Sequence, residues 1–466
     1  MKKFISIVSA MLLVFGFAAS ALAIHAEIPS ETQAVVAKGG TQITLGGELR
    51  VRGEIQQNTS DFYDDTSDRK SYYDQRVRLR LQADVTKNTT GVIHLEGGSA
   101  TGDNFTWGGS NGDATSGAKG IYASGNAKKT SLYVLEAWIQ HTGSGLLGIP
   151  AGLKVGHMPL KLGNGLFFAH DKFGDDAIVL FADPTKELHI GLLTAKFAEG
   201  TDTANNDADA YVGLLIYKPN KDTSVGLDIT YVDDKKSNGL GGITIGNGVN
   251  AVNIPTHLWN FGLRGNTTVS GLGIYADVEL QNGKIEYDKV TGQTETKLRG
   301  YAYMVGLNYK IDPVKVELEY AYGSGDDDAT DNKNKNFVTS LGADKHFTYV
   351  YEYRTKNAQG TANGGLVNTQ YVKLGLSSNL TKDLSGEIQG YWLRANKKYS
   401  TAYDSKNIGT EIDAKVSYKI DKNLVYWVEG GYLWAGNFFK NFTGDTSTAK
   451  KVDDAYAVRH GIQLNF

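Results

Sequence analysis

Two groups of side chains in this sequence have types and spacings that could do chemistry. The first is a run of arginines at every second position: Arg50 and Arg52, then Arg76, Arg78 and Arg80. Period-two spacing puts each set on one face of a strand. The second lies in Gly156–Ile178, where Lys161, His170, Asp171, Lys172, Asp175 and Asp176 are interleaved with Leu166, Phe167, Phe168 and Phe173. Pro159 cannot donate to a strand ladder, and Gly163 and Gly165 bracket Asn164 to allow a sharp turn. The chemistry on offer is ionic. Glu48, Glu54, Asp74 and Asp84 flank the arginines and partly neutralise them. If Lys161–Asp176 lies opposite the arginine ladder, then Asp171, Asp175 and Asp176 face a basic wall. The field between them would orient dipolar solutes and bias ion choice. The alternative is scaffolding, with arginines pairing with carboxylates only to hold the segment down. A surface loop with its own small apolar cluster is the plainer reading of the segment itself.

Other constellations carry less. Asp326, Asp327, Asp328 and Asp331 are the type of cluster that a hard cation favours, but no glutamate closes a calcium loop, so a solvated loop is the simpler reading. The nine histidines lack metal-ligand spacing. Gly108–Gly112 has the Gly-x-Ser-x-Gly spacing, but it is not set between a strand and a helix, so it reads neither as a nucleophile elbow nor as a phosphate cradle. No catalytic residue, metal or cofactor is expected.

The elements that must position these groups follow from the rest of the chain. Lys2 and Lys3, the apolar run Phe4–Ala19 and Ala21-Leu22-Ala23 read as a secretory signal peptide over residues 1–23. No later apolar run approaches the ~18 residues of a spanning helix. The absence of cysteine excludes a disulfide scaffold. The formal charge of −3 becomes −5 once Lys2 and Lys3 are removed, too mild to imply a nucleic-acid partner. With 466 residues, 56 glycines, 26 tyrosines and no linker, the chain reads as one all-β unit. A polar lead covers residues 24–41, and residues 42–466 alternate. Gln42–Gln56 and Tyr72–Thr86 place Leu49, Val51, Ile55, Val77, Leu79 and Leu81 opposite their charged sets. Gly409–Ile420 places Ile412, Ala414, Val416 and Tyr418 opposite Asp413, Lys415 and Ser417.

About eighteen strands are expected, or sixteen, because Ala177–Ala182 is short. Connections alternate between short ones, such as Val269–Ser270, and long ones, such as Ser324–Val367. That rhythm predicts a transmembrane antiparallel β-barrel with short periplasmic turns, long external loops and Lys161–Asp176 folded in as a constriction. Its polar face would line a wet lumen and its apolar face would meet lipid, with Tyr309, Tyr320, Tyr371, Tyr391, Trp392, Tyr418, Tyr426, Trp427, Tyr432 and Trp434 forming interfacial girdles.

The signal peptide, the loop rhythm and a last strand ending on Phe466 together resemble the outer-membrane porins of Gram-negative bacteria. The GxxPxxLGNGLFF run, from Gly156 to Phe168, resembles the larger, alginate-export-like branch. The resemblance implies a basic wall opposite an acidic constriction loop. It also implies that Phe466 is read by the barrel-insertion machinery. Outer-membrane lipid, lipopolysaccharide and small solutes are the other partners implied, with a homotrimer as an expectation and no nucleic acid. The function expected is passive diffusion of ions and small hydrophilic solutes. The alternatives are a substrate-specific or polysaccharide-export barrel, which lumenal aromatic stacks would favour, and a barrel that scaffolds a partner protein.

Overall fold

In the computed structural model the chain forms a closed antiparallel barrel of eighteen strands. Residues 34–38, 40–60, 62, 68–98, 105–107, 131–143, 145, 148–200, 207–235, 255–286, 295–328, 330–341, 345–355, 364–398, 405–441 and 452–466 are described. The signal-peptide assignment lies outside them.

The barrel strands are β1 (Thr41–Gln57), β2 (Lys70–Thr86), β3 (Thr89–Gly98), β4 (Ser131–Gly143), β5 (Ala151–Lys161) and β6 (Phe168–Ala182). They continue with β7 (Leu188–Ala198), β8 (Ala208–Asn220), β9 (Thr223–Asp234), β10 (Thr256–Val269), β11 (Leu272–Ile285) and β12 (Tyr301–Ile311). The last six are β13 (Val314–Gly323), β14 (Thr369–Asn379), β15 (Leu384–Ala395), β16 (Asn407–Asp421), β17 (Leu424–Ala435) and β18 (Ala455–Asn465). Each pairs with its neighbours in sequence, and β1 pairs with β18, from Glu48↔Asn465 to Gln57↔Tyr456. At the seam Phe466 and Gly47 exchange backbone hydrogen bonds of 3.0 and 2.6 Å. The Phe466 ring covers Gly47 so closely that a Cβ there would meet it at 2.6 Å. The polar lead is partly ordered as a strand, because Ala34–Lys38 pairs back onto Thr41–Leu45.

Alternation decides the faces. Val416 is 45% exposed on the outside, whereas the adjacent Lys415 points inward and pairs with Glu429 at 3.1 Å. Leu49, Val77, Leu79, Leu280, Leu374 and Ile412 are likewise exposed apolar residues on the outer face. Asp228, Asp277, Glu279 and Glu411 are fully buried inside. A water-soluble sheet would invert that arrangement; an exposed apolar band suits hydrocarbon. Among the described residues no helix is long and apolar enough to cross a membrane. The tightest turns have the chemistry their geometry needs. Ser270-Gly271, between β10 and β11, has φ of 51° and 82°, the double positive φ of a type I′ hairpin.

Two expectations about the wall need correction. Ala177–Ala182 is only the end of a fifteen-residue strand, β6, which begins at Phe168. Much of the supposed loop is therefore strand. In addition, Tyr371 and Tyr391 are 1% and 4% exposed and turn inward, as does Trp427, so they are not girdle residues. Trp392, Tyr418, Tyr426, Tyr432 and Trp434 are exposed on the outer face.

Candidate functional site

The β5–β6 hairpin is part of the wall only at its base. Strand β4 pairs with β5 as far as Ala137↔His157, and β7 pairs with β6 from Asp176↔Lys196. Beyond His157 and Asp176 the hairpin leaves the wall, and its strands pair with each other through Leu160↔His170 and Lys161↔Ala169. The departure is marked by a bulge, with a single residue between Met158 and Leu160 opposite four between Asp175 and His170. Gly163 and Gly165, at φ of 53° and 74°, turn the tip. The tip then reaches the inner face of β10 and β11, where the Asn164 N–H donates to Asp277 Oδ2 at 2.8 Å. Leu160, Phe167 and Phe168 pack against Leu193, Ala195, Ala210 and Val212 of the wall. The apolar side chains of the tip are thus buried inside the barrel, which is why a polar turn carries so many of them.

A second, larger insertion enters from the connection between β13 and β14, expected as an external loop over Ser324–Val367. Its Phe337, Val338, Val350 and Tyr351 are at most 3% exposed. Gln281 of β11 makes paired bonds with the Val338 backbone, 2.7 Å to its carbonyl and 2.8 Å from its N–H. Ser340↔Phe168 and Leu341↔Ala169 pair in parallel, so this segment adds a strand to the inserted hairpin. Further along, the Val350 and Tyr351 N–H groups donate to Glu411 at 2.6 and 2.8 Å, and that of Tyr349 donates to Asp413 at 3.1 Å. Arg354 then pairs with Glu54 of β1 at 3.0 Å. The segment therefore crosses the lumen from β11 to β16 and β1. The sequence pattern alone does not show this segment as an inserted element. Its legible trace was an aromatic-rich connection far longer than the ~12–15 residues of ordinary loops.

The arginine ladder faces the lumen, but its partners lie on the wall. Arg52 pairs with Asp74 at 2.7 Å, Arg76 with Glu48 at 2.6 Å, Arg80 with Glu136 at 3.2 Å, and Arg78 with Glu96. Arg50 stands directly opposite Arg76 in the register. The acidic groups of the hairpin are held elsewhere. Asp175 pairs with His170 and Asp176 with His157, both at 2.8 Å, and Asp171 lies 3.8 Å from Lys161. Lys172 rests over the Phe173 ring at 4.6 Å. Asp171, Asp175 and Asp176 thus do not oppose Arg50, Arg52, Arg76, Arg78 and Arg80. The hairpin leans toward β7–β11, and the arginines already have carboxylates from β1 to β4. Glu96 and Glu136 are ladder partners that no local sequence pattern ties to the arginines.

Below the inserted segments the lumen holds a cavity of about 790 Å³. Both charge signs line it in interleaved pairs: Lys373 with Glu317 at 2.6 Å and Glu319 at 3.1 Å, Lys315 with Glu317 at 3.5 Å, and Arg459 with Glu429. Aromatic rings meet these charges. His346 stacks on Tyr353 at 3.7 Å, Arg354 lies over Tyr349 and Tyr353 at 3.9 and 4.2 Å, and Arg459 lies 5.6 Å from Trp427. Carboxylates of the acidic run are engaged within their own connection. Asp331 binds Lys335 at 2.7 Å, which holds its carboxyl below the usual range, and Asp328 accepts from the Thr330 hydroxyl at 2.7 Å. Among the described residues no group of His, Cys, Asp and Glu is arranged to hold a metal.

Residues 41–453 match the family described as alginate export. Nothing matches among curated protein sequences. The fold is similar to solved structures of the Occ proteins. Pseudomonas aeruginosa OccK9 (OpdG) is 12% identical with a TM-score of 0.54, the match covering 91% of this chain and 98% of that one. Acinetobacter baumannii OccAB1 is 10% identical with a TM-score of 0.53, covering 91% and 96%. Pseudomonas aeruginosa OccK8 (OprE) is 11% identical with a TM-score of 0.51, covering 91% and 98%. At these identities the likeness is one of fold.

Proposed function

The chain belongs to the alginate export family, and from that premise we propose that it is an outer-membrane porin of a Gram-negative bacterium, through which small hydrophilic solutes and ions diffuse passively. The observation that carries this reading is the wet, charged cavity of about 790 Å³ beneath two inserted segments, inside a wall whose outer face is apolar. Such an interior needs no catalytic group to work. A solute exchanges hydration water for paired lysines and carboxylates, and passes where the inserted segments leave room. Because both signs alternate around the cavity, selectivity arises from local pairs at the constriction. In this reading Lys161, His170, Asp171, Lys172, Asp175 and Asp176 shape the narrow part, and the arginines Arg50 to Arg80 stiffen the wall beside it. Phe466, at the seam, is the proposed assembly signal for the insertion machinery. A homotrimer is the proposed assembly.

A second reading, a substrate-specific or polysaccharide-export barrel, is favoured by one observation. Tyr349, Tyr353 and Trp427 lie inside, stacked with Arg354 and Arg459. Rings of that kind give a flat solute face a place to rest. Planar-bilayer recording separates the two. Stable ohmic conductance without solute block supports general diffusion. Block at low concentrations of an oligosaccharide, absent in the Tyr353→Ala and Trp427→Ala variants, supports the specific reading. No conductance from folded protein refutes both.

A further inference from the structure

The two inserted segments meet at a pair of lysines that passive diffusion does not require. Lys161 ends β5, and Lys345 follows the inner strand Ser340–Leu341 of the second insertion. At the hairpin tip Gly165 turns with φ of 74°. A Cβ on Gly165 would stand 3.3 Å from the Cε of Lys161 and 3.3 Å from the Cε of Lys345. Two amine-bearing side chains from separate insertions therefore converge on one point. Both line the lumenal cavity of about 790 Å³.

Their surroundings differ. Lys161 has Asp171 at 3.8 Å. Among the described residues no carboxylate stands within ion-pair distance of Lys345, which is half-buried with its Nζ 5.0 Å from the centre of the Phe347 ring. The acids that face it are engaged elsewhere. Glu319 of β13 holds Lys373 at 3.1 Å and the Tyr371 hydroxyl at 2.7 Å. Glu352 of the same insertion accepts the Phe347 N–H at 3.1 Å and pairs with His346 at 3.3 Å. Asp171 lies beside Lys161, and Asp277 of β11 takes the Asn164 N–H at 2.8 Å. An ammonium in that place loses hydration and meets a second positive charge, and both effects favour the neutral amine. Burial, followed by the charge of Lys161, pushes the Lys345 amine down to about 8. Desolvation and a neighbouring cation are the two means by which a lysine becomes a nucleophile near neutral pH.

We infer that Lys345 is a covalent binding site for small anionic aldehydes that enter the lumen, with the carbonyl at Lys345 and the anionic group at Lys161. The lone pair of Lys345 Nζ attacks the carbonyl carbon, and the nitrogen passes one proton to the oxygen to give a carbinolamine. The C–O bond then breaks, the oxygen leaves as water with the second proton from nitrogen, and a C=N bond remains. Nothing is oxidised or reduced. Lys161 supplies the selectivity, since its ammonium holds the carboxylate or phosphate of the solute. A neutral aldehyde finds only the amine, and an anion without a carbonyl finds only the ammonium.

This inference rests on solutes reaching the lumen, and reductive trapping tests it. The purified barrel in neutral detergent is treated with glyoxylate and cyanoborohydride, which fixes the imine as a secondary amine, and the modified lysines are quantified by peptide mass. Glycolaldehyde is the uncharged probe. Near neutral pH, trapping at Lys345 should outpace trapping at Lys221, an exposed lysine of the β8–β9 turn, by at least about tenfold, because an ordinary lysine titrates near ~10.4. Its rate should reach half of its maximum near pH 8. The preference for glyoxylate over glycolaldehyde should be about fivefold greater at Lys345 than at Lys221, the worth of one solvated charge pair. Lys161→Gln should abolish that extra preference in a barrel whose heat-modifiable migration shows it folded. Trapping at Lys345 no faster than at Lys221, a half-rise near ~10.4, or an extra preference that survives Lys161→Gln overturns the inference. The pH profile needs no variant, so it decides the matter even where Lys161→Gln does not fold. Conductance recorded from the same samples keeps the two readings apart. A conducting barrel without trapping at Lys345 loses only this inference, whereas a folded barrel that does not conduct loses the porin.

Discussion

The long inserted segment hangs on two carboxylates of β16, and their neutralisation should let it swing. Glu411 is fully buried and accepts the N–H groups of Val350 and Tyr351 at 2.6 and 2.8 Å; Asp413 accepts that of Tyr349 at 3.1 Å. A hydrogen bond to a charged group contributes roughly 1.5–3 kcal/mol, and a neutral one roughly 0.5–1.5. Glu411→Gln keeps one acceptor at neutral strength and turns its own NH2 toward the other donor. The loss is therefore roughly 2–4 kcal/mol, about a 30- to 1,000-fold change in how often residues 345–355 leave the wall. Asp413→Asn, with one longer bond, should cost about half as much. The anchors at Gln281 and Phe168 remain, so the release is local. In single-channel records the parent should be quiet and Glu411→Gln should flicker to a larger conductance, with the double variant doing so most. Heat-modifiable migration on gels establishes first that the barrel is folded. A folded double variant as quiet as the parent, at the same conductance, would refute the account of this anchor.

Four further outcomes are expected. Deleting Gly163–Asp175 should raise conductance in a folded barrel, since the tip that bonds Asp277 is gone; parent-like conductance would mean that the hairpin does not narrow the pore. Arg80→Leu leaves the almost fully buried Glu136 without its guanidinium and should destabilise the barrel by roughly 3–5 kcal/mol in denaturant titrations, with little change in ion preference; a shift in reversal potential at unchanged stability would restore the field reading. Val416→Arg, in the lipid-facing band, should cost roughly 2–4 kcal/mol of stability in lipid bilayers, while Lys415→Arg, on the lumen side, should be nearly silent; reversed costs would invert the faces of β16. Deleting Phe466 should lower the amount of folded barrel in the membrane while leaving the conductance of the barrels that do fold unchanged, and normal yields would remove its assembly role.

Period-two alternation made the wall legible, because each strand of a barrel this size separates lipid from water, as Val416 and Lys415 do. The interior was legible only where sequence neighbours explain each other. Glu48 and Asp74 could be matched with arginines because they sit on the same two strands; Glu96 and Glu136 come from β3 and β4, and no local pattern ties them to Arg78 and Arg80. Tyr371, Tyr391 and Trp427 read as girdle residues yet turn inward, because an amphipathic ring suits both a membrane interface and a wet lumen. The first half of β6, Phe168 to Asp175, reads as a loop because its ladder partners are β5 and the distant Ser340, so no lipid face imposes alternation on it. The second insertion reads as an external loop by its length, although Phe337, Val350 and Tyr351 are poor residues to leave in water.

The parallel pairing of Ser340 with Phe168 has a consequence for how the protein is made. The hairpin tip is synthesised some 170 residues before the strand that packs on it, and Thr339 Oγ1 reaches back to the Leu166 carbonyl across 173 positions. Glu54, at the start of the barrel, receives Arg354 only after most of the wall exists. Contacts between such distant parts of a chain form late, because closing a long loop costs entropy before the contact repays it. The seam that closes the wall is longer-range still, because Glu48↔Asn465 joins the two ends of the barrel. By the same reckoning the two insertions meet before the seam forms, so the wall is sealed around an interior already in place and the newborn barrel is as narrow as the mature one.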